Sequence, residues 1–141
     1  MHLVDTNVVS ELRKVRAGKA DPSVSAWAAD AEPGSLFLSA ISVHELELGV
    51  RLMEHRDTVQ GDLLRRWLDD AVLPAFAGRI LPVDETVARQ AAVLHVPNPQ
   101  PLRDGLIAAT ALVHNLVVVT RNLADFKASG VRLLNPWEFE R

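Results

Sequence analysis

The sequence contains no cysteine, which excludes disulfide bonds, thiolate zinc sites and cysteine nucleophiles. It also lacks an excess of positive charge, since its formal net charge is −3. Nucleic-acid-binding domains are typically basic because their affinity comes largely from neutralising phosphates, so this balance argues against tight RNA or DNA binding. It argues less strongly against a nuclease, whose carboxylates need metal ions to neutralise them.

The chain also lacks a hydrophobic run long enough to cross a bilayer. Its most apolar stretch, residues 106–119, is short and is interrupted by Thr110, His114 and Asn115. Because the first residues carry no basic segment, we expect no signal peptide and a soluble, cytoplasmic protein. The 141 residues contain no repeat, no low-complexity tract and no long linker, and 48% are hydrophobic, which predicts one domain over residues 1–141.

Short apolar runs alternate with helical patterns along the chain. The runs that predict strands are residues 2–4, 36–38, 79–83, 116–119 and 131–134. Helices are expected from Thr6 and over residues 24–31, 43–53, 58–72, 85–95 and 104–114. This alternation predicts an α/β sandwich whose mainly parallel sheet of four to five short strands is flanked by helices. Sites in such sheets lie beyond the carboxyl ends of the strands, so the residues that follow strands are the functional candidates.

Four acidic residues follow strands or lie near helix starts: Asp5, Glu45, Asp104 and Asp125. Each has an ordinary interpretation, because Asp5 and Asp104 suit helix N-caps, Glu45 suits a solvated helix face and Asp125 suits a turn. Glu45 also has a rival in Glu47, which lies about 200° away around the helix, so only one of them can face a site. The apolar periodicity leaves that choice open, and the functional hypothesis rests on the acids in combination.

Five blocks of sequence occur in one order from end to end of the chain. They are residues 1–12 (MHLVDTNVVSEL), 38–49 (LSAISVHELELG), 104–111 (DGLIAATA), 119–126 (VTRNLADF) and 134–137 (LNPW). Together the blocks resemble PIN domains, and specifically the VapC/FitB-like toxins of type II toxin–antitoxin modules. An Asp-Thr-Asn triplet alone would be a weak signal, whereas the ordered set is specific.

The resemblance implies a role for each acid. In the family's Glu-Leu-Glu-x-Gly block the first glutamate is the catalytic one, which favours Glu45 over Glu47. Asp5 and Asp104 match the first and third acids and Asp125 the more variable fourth, so all four are expected to be catalytic and to hold metal, Glu45 as a ligand or by orienting water. The polar residues that match supporting positions are Thr6, Asn7, Thr120 and Asn122.

The resemblance also implies an endoribonuclease that depends on Mg²⁺ or Mn²⁺ and hydrolyses RNA to a 5′-phosphate and a 3′-hydroxyl. Clustered carboxylates suit these ions, which prefer oxygen ligands. Two arginines could hold the substrate phosphates: Arg121, beside the fourth acid, and Arg13, whose basic neighbourhood an ordinary solvated loop would explain equally well. The histidines show no metal-ligand spacing, and His44 is interpreted as structural.

The implied partners are a VapB/FitA-like antitoxin that inhibits the enzyme, a second copy of the chain in a homodimer, and operator DNA bound only through the antitoxin. No membrane is expected to be involved. A surplus of apolar residues after the second strand suits a groove for a partner helix or a dimer face, although an ordinary core explains it about as often. These residues are Leu48, Leu63, Leu64 and Trp67.

Other functions fit the residues less well. A haloacid-dehalogenase-type phosphatase needs an aspartate where Asn7 stands, and a response-regulator receiver needs a mid-chain Asp and a late Lys that the chain does not offer. The main alternative is a catalytically weak PIN module that acts through its partner in a DNA-binding regulatory complex. Two features depart from the family pattern: Gly105, expected to weaken its helix start slightly, and a proline-rich connection that carries only Arg103.

Overall fold

A computed structural model describes residues 1–140 and contains a five-stranded sheet in the order β3-β2-β1-β4-β5. All four strand pairings are parallel, which confirms the predicted α/β class and its mainly parallel sheet. Among the described residues, no helix is both long and apolar enough to cross a membrane. The strands are β1 (His2–Val4), β2 (Leu36–Ser39), β3 (Ile80–Leu81), β4 (Val117–Val119) and β5 (Leu133–Leu134).

Helices connect the strands and cover the sheet. They are α1 (Thr6–Leu12), α2 (Pro22–Asp30), α3 (Ala40–Arg56), α4 (Thr58–Trp67), α5 (Leu73–Ala75), α6 (Glu85–Leu94) and α7 (Leu102–His114). The helix expected over residues 58–72 instead passes into a wider π-helical turn at Leu68–Val72. Pro74 follows this turn, and its ring would clash with the carbonyl four residues earlier in a regular helix, so the wider turn accommodates it.

The sheet is buried on both faces at its centre, because side chains alternate along each strand. Val4 of β1 and Val119 of β4 pack into one apolar cluster with residues of α1 and α3. Leu3 and Val118, on the opposite face of the same strands, pack against α7 in a second cluster. This packing explains why both strands read as continuous apolar runs in the sequence. Three strands, β3, β4 and β5, are shorter than expected, and at β3 the reason is Pro82, which cannot donate to a strand ladder.

The glycine in the first turns of α7 makes room for a neighbouring imidazole. A Cβ atom at Gly105 would lie 2.9 Å from the Nε2 atom of His95, which is closer than a normal contact. The imidazole is held there because the backbone N–H of Gln100 donates to His95 Nδ1 at 3.0 Å. Gly105 is therefore required by packing of the proline-rich connection, a role that its helix propensity alone does not reveal.

We expect Gly105→Ala to destabilise the protein. Alanine gains up to about 1 kcal/mol of helix propensity, but overpacking a filled site costs about 1–3 kcal/mol, so the steric cost exceeds the gain. In a His95→Ala background the space is vacant, and the same Gly105→Ala change should become stabilising. Urea denaturation of the four proteins in this double-mutant cycle measures the reversal of sign. Equal effects of Gly105→Ala in both backgrounds would contradict the packing role of His95.

Candidate active site

Three of the four predicted acids converge beyond the carboxyl ends of β1 and β2. Asp5 directly follows β1 and is almost fully buried, with 1% of its surface exposed. Glu45 projects from α3, which follows β2, and Asp104 lies in the first turn of α7. The guanidinium of Arg103 lies among the three carboxylates and bonds to each of them. The three acids thus form one site although they are far apart in the sequence.

Asp5 is held by hydrogen bonds on both of its carboxylate oxygens. Its Oδ1 atom accepts from the backbone N–H of Thr6 at 2.8 Å, which makes it the N-cap of α1, and its Oδ2 accepts from the hydroxyl of Thr120 at 2.9 Å. The Thr120 oxygen in turn accepts from the backbone N–H of Asn122 at 3.0 Å and from the Asn7 amide at 3.4 Å. Asp5 is therefore both the N-cap of α1 and a residue of the site. The polar neighbours suggested by the resemblance orient its carboxylate.

The structure separates Glu45 from Glu47, which the apolar periodicity did not. Glu45 accepts from the Thr6 hydroxyl at 2.6 Å and from Arg103 Nε at 2.6 Å, so it faces Asp5 and Asp104. Burial raises the pKa of Glu45, but the hydrogen bonds from Arg103 and Thr6 outweigh it and the pKa lies below its ordinary value. Glu47 points away and accepts two hydrogen bonds from Arg65, at 2.7 and 2.8 Å.

Arg103 is the site residue that the sequence interpretation missed. Each of the three guanidinium nitrogen atoms donates to a different acid: Nη2 to Asp5 at 2.6 Å, Nε to Glu45 at 2.6 Å and Nη1 to Asp104 at 2.9 Å. Burial lowers the pKa of Arg103, but the three carboxylates outweigh burial and raise the pKa above its ordinary value. The signal in the sequence was its position directly before Asp104.

Asp104 differs from its ordinary interpretation as a helix cap, whereas Asp125 lies in a turn, as its ordinary interpretation predicts. Asp104 does not cap α7, because the helix begins at Leu102 with Pro101 in the N-cap position, and its Oδ1 contacts Arg103 instead. Asp125 ends a short 3₁₀ turn and is exposed; its backbone N–H donates to the Asn122 carbonyl at 3.1 Å, and its side chain forms no hydrogen bond or ion pair with other residues in the described range 1–140. The structure therefore brings Asp5, Glu45 and Asp104 together around Arg103, and the catalytic roles of all four acids stay predictions.

The two arginines proposed for substrate binding lie on aromatic rings. The Arg13 guanidinium lies 5.7 Å from the ring centre of Trp67, and that of Arg121 lies 5.0 Å from the ring of Trp137. Arg13 also lines a hollow of about 210 Å³ whose wall includes Thr6 and Glu45. Both arginines are exposed, and Arg13 borders the same hollow as Glu45. His44 is exposed beside Glu45 on α3.

The donor chemistry of the site suits a divalent cation. Its three carboxylates already enclose one cation, the guanidinium, and Mg²⁺ needs only one or two carboxylates in addition to water and phosphate oxygens. Within residues 1–140, however, no three His, Cys, Asp or Glu side chains stand close enough together to hold one ion jointly. The three acids therefore offer the type of ligand that a divalent ion prefers. In this structure, however, their carboxylates are spaced to contact three nitrogens of the Arg103 guanidinium rather than one ion.

We expect Thr120→Val to destabilise the protein because it leaves a buried carboxylate oxygen of Asp5 without a donor. An unsatisfied buried polar group costs about 1–3 kcal/mol, and a charged one costs more. Thr120→Ser is the matched control, since it keeps the hydroxyl and loses one buried methyl group, worth about 1 kcal/mol. Chemical denaturation of both variants checks this order of stability. A valine variant as stable as the serine variant would show that this hydrogen bond is dispensable.

The parallel α/β fold, with carboxylates gathered at the carboxyl edge of its sheet, places the chain among the α/β proteins that have an acidic site. The chain belongs to the PIN domain family, whose model matches residues 2–128. It is 39% identical to the VapC ribonuclease Y4jK of Sinorhizobium fredii over 145 residues, which cover 98% of this chain and 99% of the relative. It is 41% identical to the toxin FitB of Neisseria gonorrhoeae over 143 residues, which cover 97% and 99%.

A solved structure gives the same result for the fold. In the structure of FitAB bound to an IR36 DNA fragment, one chain matches this protein with a TM-score of 0.89 and 37% identity. The match covers 100% of this chain and 99% of that chain. The recognition of a PIN domain from the ordered sequence blocks is thus confirmed over the length of the fold.

Proposed function

We propose that the protein is a metal-dependent endoribonuclease, the toxin component of a type II toxin–antitoxin system, and that it acts in the cytoplasm. The observation that carries the proposal is the convergence of Asp5, Glu45 and Asp104 at the carboxyl edge of the sheet. Its support from relatives is the full-length similarity to proteins named as a VapC ribonuclease and as the toxin FitB.

Each acid has a role that follows from its surroundings. Asp5 and Asp104 would hold Mg²⁺ or Mn²⁺ as ligands, and Thr120 and Thr6 keep the Asp5 carboxylate in one orientation. Glu45 would act as a further ligand or would orient the attacking water. A bound divalent ion would supply an activated water and polarise the phosphate oxygens. Asp125 is proposed as an outer, weaker fourth acid, consistent with its exposed position.

The substrate would be RNA, cut to leave a 5′-phosphate and a 3′-hydroxyl. Arg13 and Arg121 are the proposed phosphate contacts, since both are cationic and Arg13 shares a hollow with Glu45. The negative net charge of −3 implies that the metal and these arginines, rather than the whole surface, attract the phosphates.

The proposed partners are a VapB/FitA-like antitoxin and a second copy of the chain, with operator DNA bound only through the antitoxin. Four hydrophobic side chains on α3 and α4 are more than 45% exposed, which suits such an interface. They are Leu48, Leu52, Val59 and Leu63. Leu64 and Trp67, in contrast, pack partly against the core, so only part of the apolar surplus noted in the sequence is exposed. Light scattering tests the dimer, and co-expression with the neighbouring reading frame tests the antitoxin.

Removal of metal tests the enzymatic proposal directly. RNA cleavage by the purified protein should stop in excess chelator and return when Mg²⁺ or Mn²⁺ is restored. Zinc should restore it poorly, because the three acids supply oxygen ligands and the chain has no cysteine. Unchanged cleavage in chelator would contradict the metal mechanism. A protein that never cleaves RNA, yet joins a DNA-binding complex with its partner, would instead be the catalytically weak module.

A further inference from the structure

The site is filled by a cation that belongs to the chain itself. Arg103 donates to Asp5, Glu45 and Asp104 through three different nitrogens, at 2.6, 2.6 and 2.9 Å. Charge-assisted hydrogen bonds of this kind are about twice as strong as neutral ones, and a guanidinium cannot be deprotonated in a protein. The guanidinium thus neutralises part of the charge on the same three acids that are proposed to bind metal.

The geometry of a guanidinium site differs from that of a metal site. A Mg²⁺ ion draws its oxygens to about 2.1 Å from one point, whereas Arg103 spreads its contacts over three nitrogen atoms of a planar group. This spread agrees with the finding that, within residues 1–140, no three acidic or histidine side chains are close enough to share an ion. For Asp5 and Asp104 to share one ion, the guanidinium between them has to leave.

Arg103 cannot diffuse away from the acids, because it lies in the first turn of α7 directly before Asp104. A tethered group competes at a high effective concentration, which no dilution of the protein lowers. Its side chain is 33% exposed, so it also has an open side toward solvent through which it can swing out.

We infer that Arg103 is a resident counter-cation that competes with the divalent ion for Asp5, Glu45 and Asp104, so that metal binding requires displacement of its guanidinium. The inference rests on the proposed metal-dependent function. Arg103 would then set the affinity of the site for metal. In the metal-free protein its positive charge offsets part of the repulsion among the three carboxylates.

Calorimetric titration of the metal-free protein with Mn²⁺, in the absence of RNA, tests the competition without measuring catalysis. We expect Arg103→Ala to bind Mn²⁺ at least about tenfold more tightly than the unaltered protein, an effect as large as those of groups that contact metal ligands. Arg103→Lys should lie in between, because a lysine keeps the charge but cannot reach three acids at once. Arg66→Ala removes the same charge at an exposed ion pair on α4 and should leave Mn²⁺ affinity unchanged.

Thermal unfolding provides a second readout. In chelator, Arg103→Ala should melt at a lower temperature than the unaltered protein, because its three acids repel one another without a cation. Mn²⁺ should then raise the melting temperature of the variant more than that of the unaltered protein. If the alanine variant does not fold, Arg103→Lys carries both tests, since it retains a positive charge at the site.

The outcomes separate this inference from the proposed function. Equal or weaker Mn²⁺ binding by the Arg103 variants would overturn the competition alone, and Arg103 would then be a residue that positions the carboxylates for the metal. Absence of Mn²⁺ binding in every protein, together with RNA cleavage that persists in chelator, would overturn the metal-dependent function and this inference with it.

Discussion

Asp104→Asn is expected to reduce the rate of RNA cleavage by more than about a hundredfold, because even groups that only contact metal ligands contribute 10–100-fold. The fold should survive, since Asp104 does not cap α7 and, within residues 1–140, its side chain bonds only to Arg103. Asparagine keeps the shape of the side chain and removes the charge. Asp5→Asn is a less clean test, because Asp5 is buried and also caps α1.

Cleavage rates at saturating Mn²⁺, combined with melting curves from circular dichroism, separate loss of chemistry from loss of fold. Asp125→Asn is the comparison variant and should have a milder effect, because its side chain is exposed and is not among the three acids that Arg103 contacts. An inactive Asp125→Asn variant together with an active Asp104→Asn variant would contradict the assignment and would place the reaction nearer to Asp125.

Glu45→Gln and Glu47→Gln should produce opposite phenotypes although the residues are two positions apart. Glu45→Gln should lower cleavage by more than about a hundredfold, as for the other proposed ligands, because Glu45 faces Asp5 and Asp104 around the same guanidinium. Glu47→Gln should leave cleavage close to that of the unaltered protein, since Glu47 pairs with Arg65 of α4 and with Arg51 rather than with Arg103. An inactive Glu47 variant with an active Glu45 variant would contradict the assignment.

The effect of Glu47 should appear instead in stability and in its dependence on pH. The hydrogen bond from Arg65 lowers the pKa of Glu47 from 4.5 to about 2. A lowered carboxyl pKa contributes stability above the unfolded value, and that contribution is lost as pH falls through the folded value. Glu47→Gln should therefore melt at a lower temperature than the unaltered protein at neutral pH. The difference in melting temperature between the two proteins should decrease between about pH 4.5 and pH 2 and disappear below that range.

Much of the fold could be predicted because it depends on local patterns. Continuous apolar runs at β1 and β4 and amphipathic repeats in α3 are properties of neighbouring residues, and they led to the parallel α/β class. The acids could be located because they follow strands or lie near helix starts. The choice of Glu45 over Glu47 needed the family resemblance, since both flank the apolar stripe of α3 and only the position of α3 against α1 and α7 decides between them.

The rest depended on contacts between distant parts of the chain. Arg103 gave no periodic signal, and its importance comes from Asp5 and Glu45, which lie 98 and 58 residues away. Gly105 was interpreted through helix propensity alone, because nothing local reveals that His95 occupies the space beside it. Asp104 resembled a cap because the helix start could not be placed at Leu102, two residues earlier.

The strand order determines how much of the chain must be present before the site can form. β1 precedes the other four strands along the chain, yet it is the central strand of the sheet, and its neighbour β4 follows more than a hundred residues later. The hydroxyl that fixes Asp5 comes from Thr120, 115 residues downstream. Since distant pairings form late in folding, a nascent chain that ends before β4 has neither a closed sheet centre nor an oriented Asp5. We therefore expect a chain that is truncated before β4 to lack the arrangement of Asp5 on which the proposed activity depends.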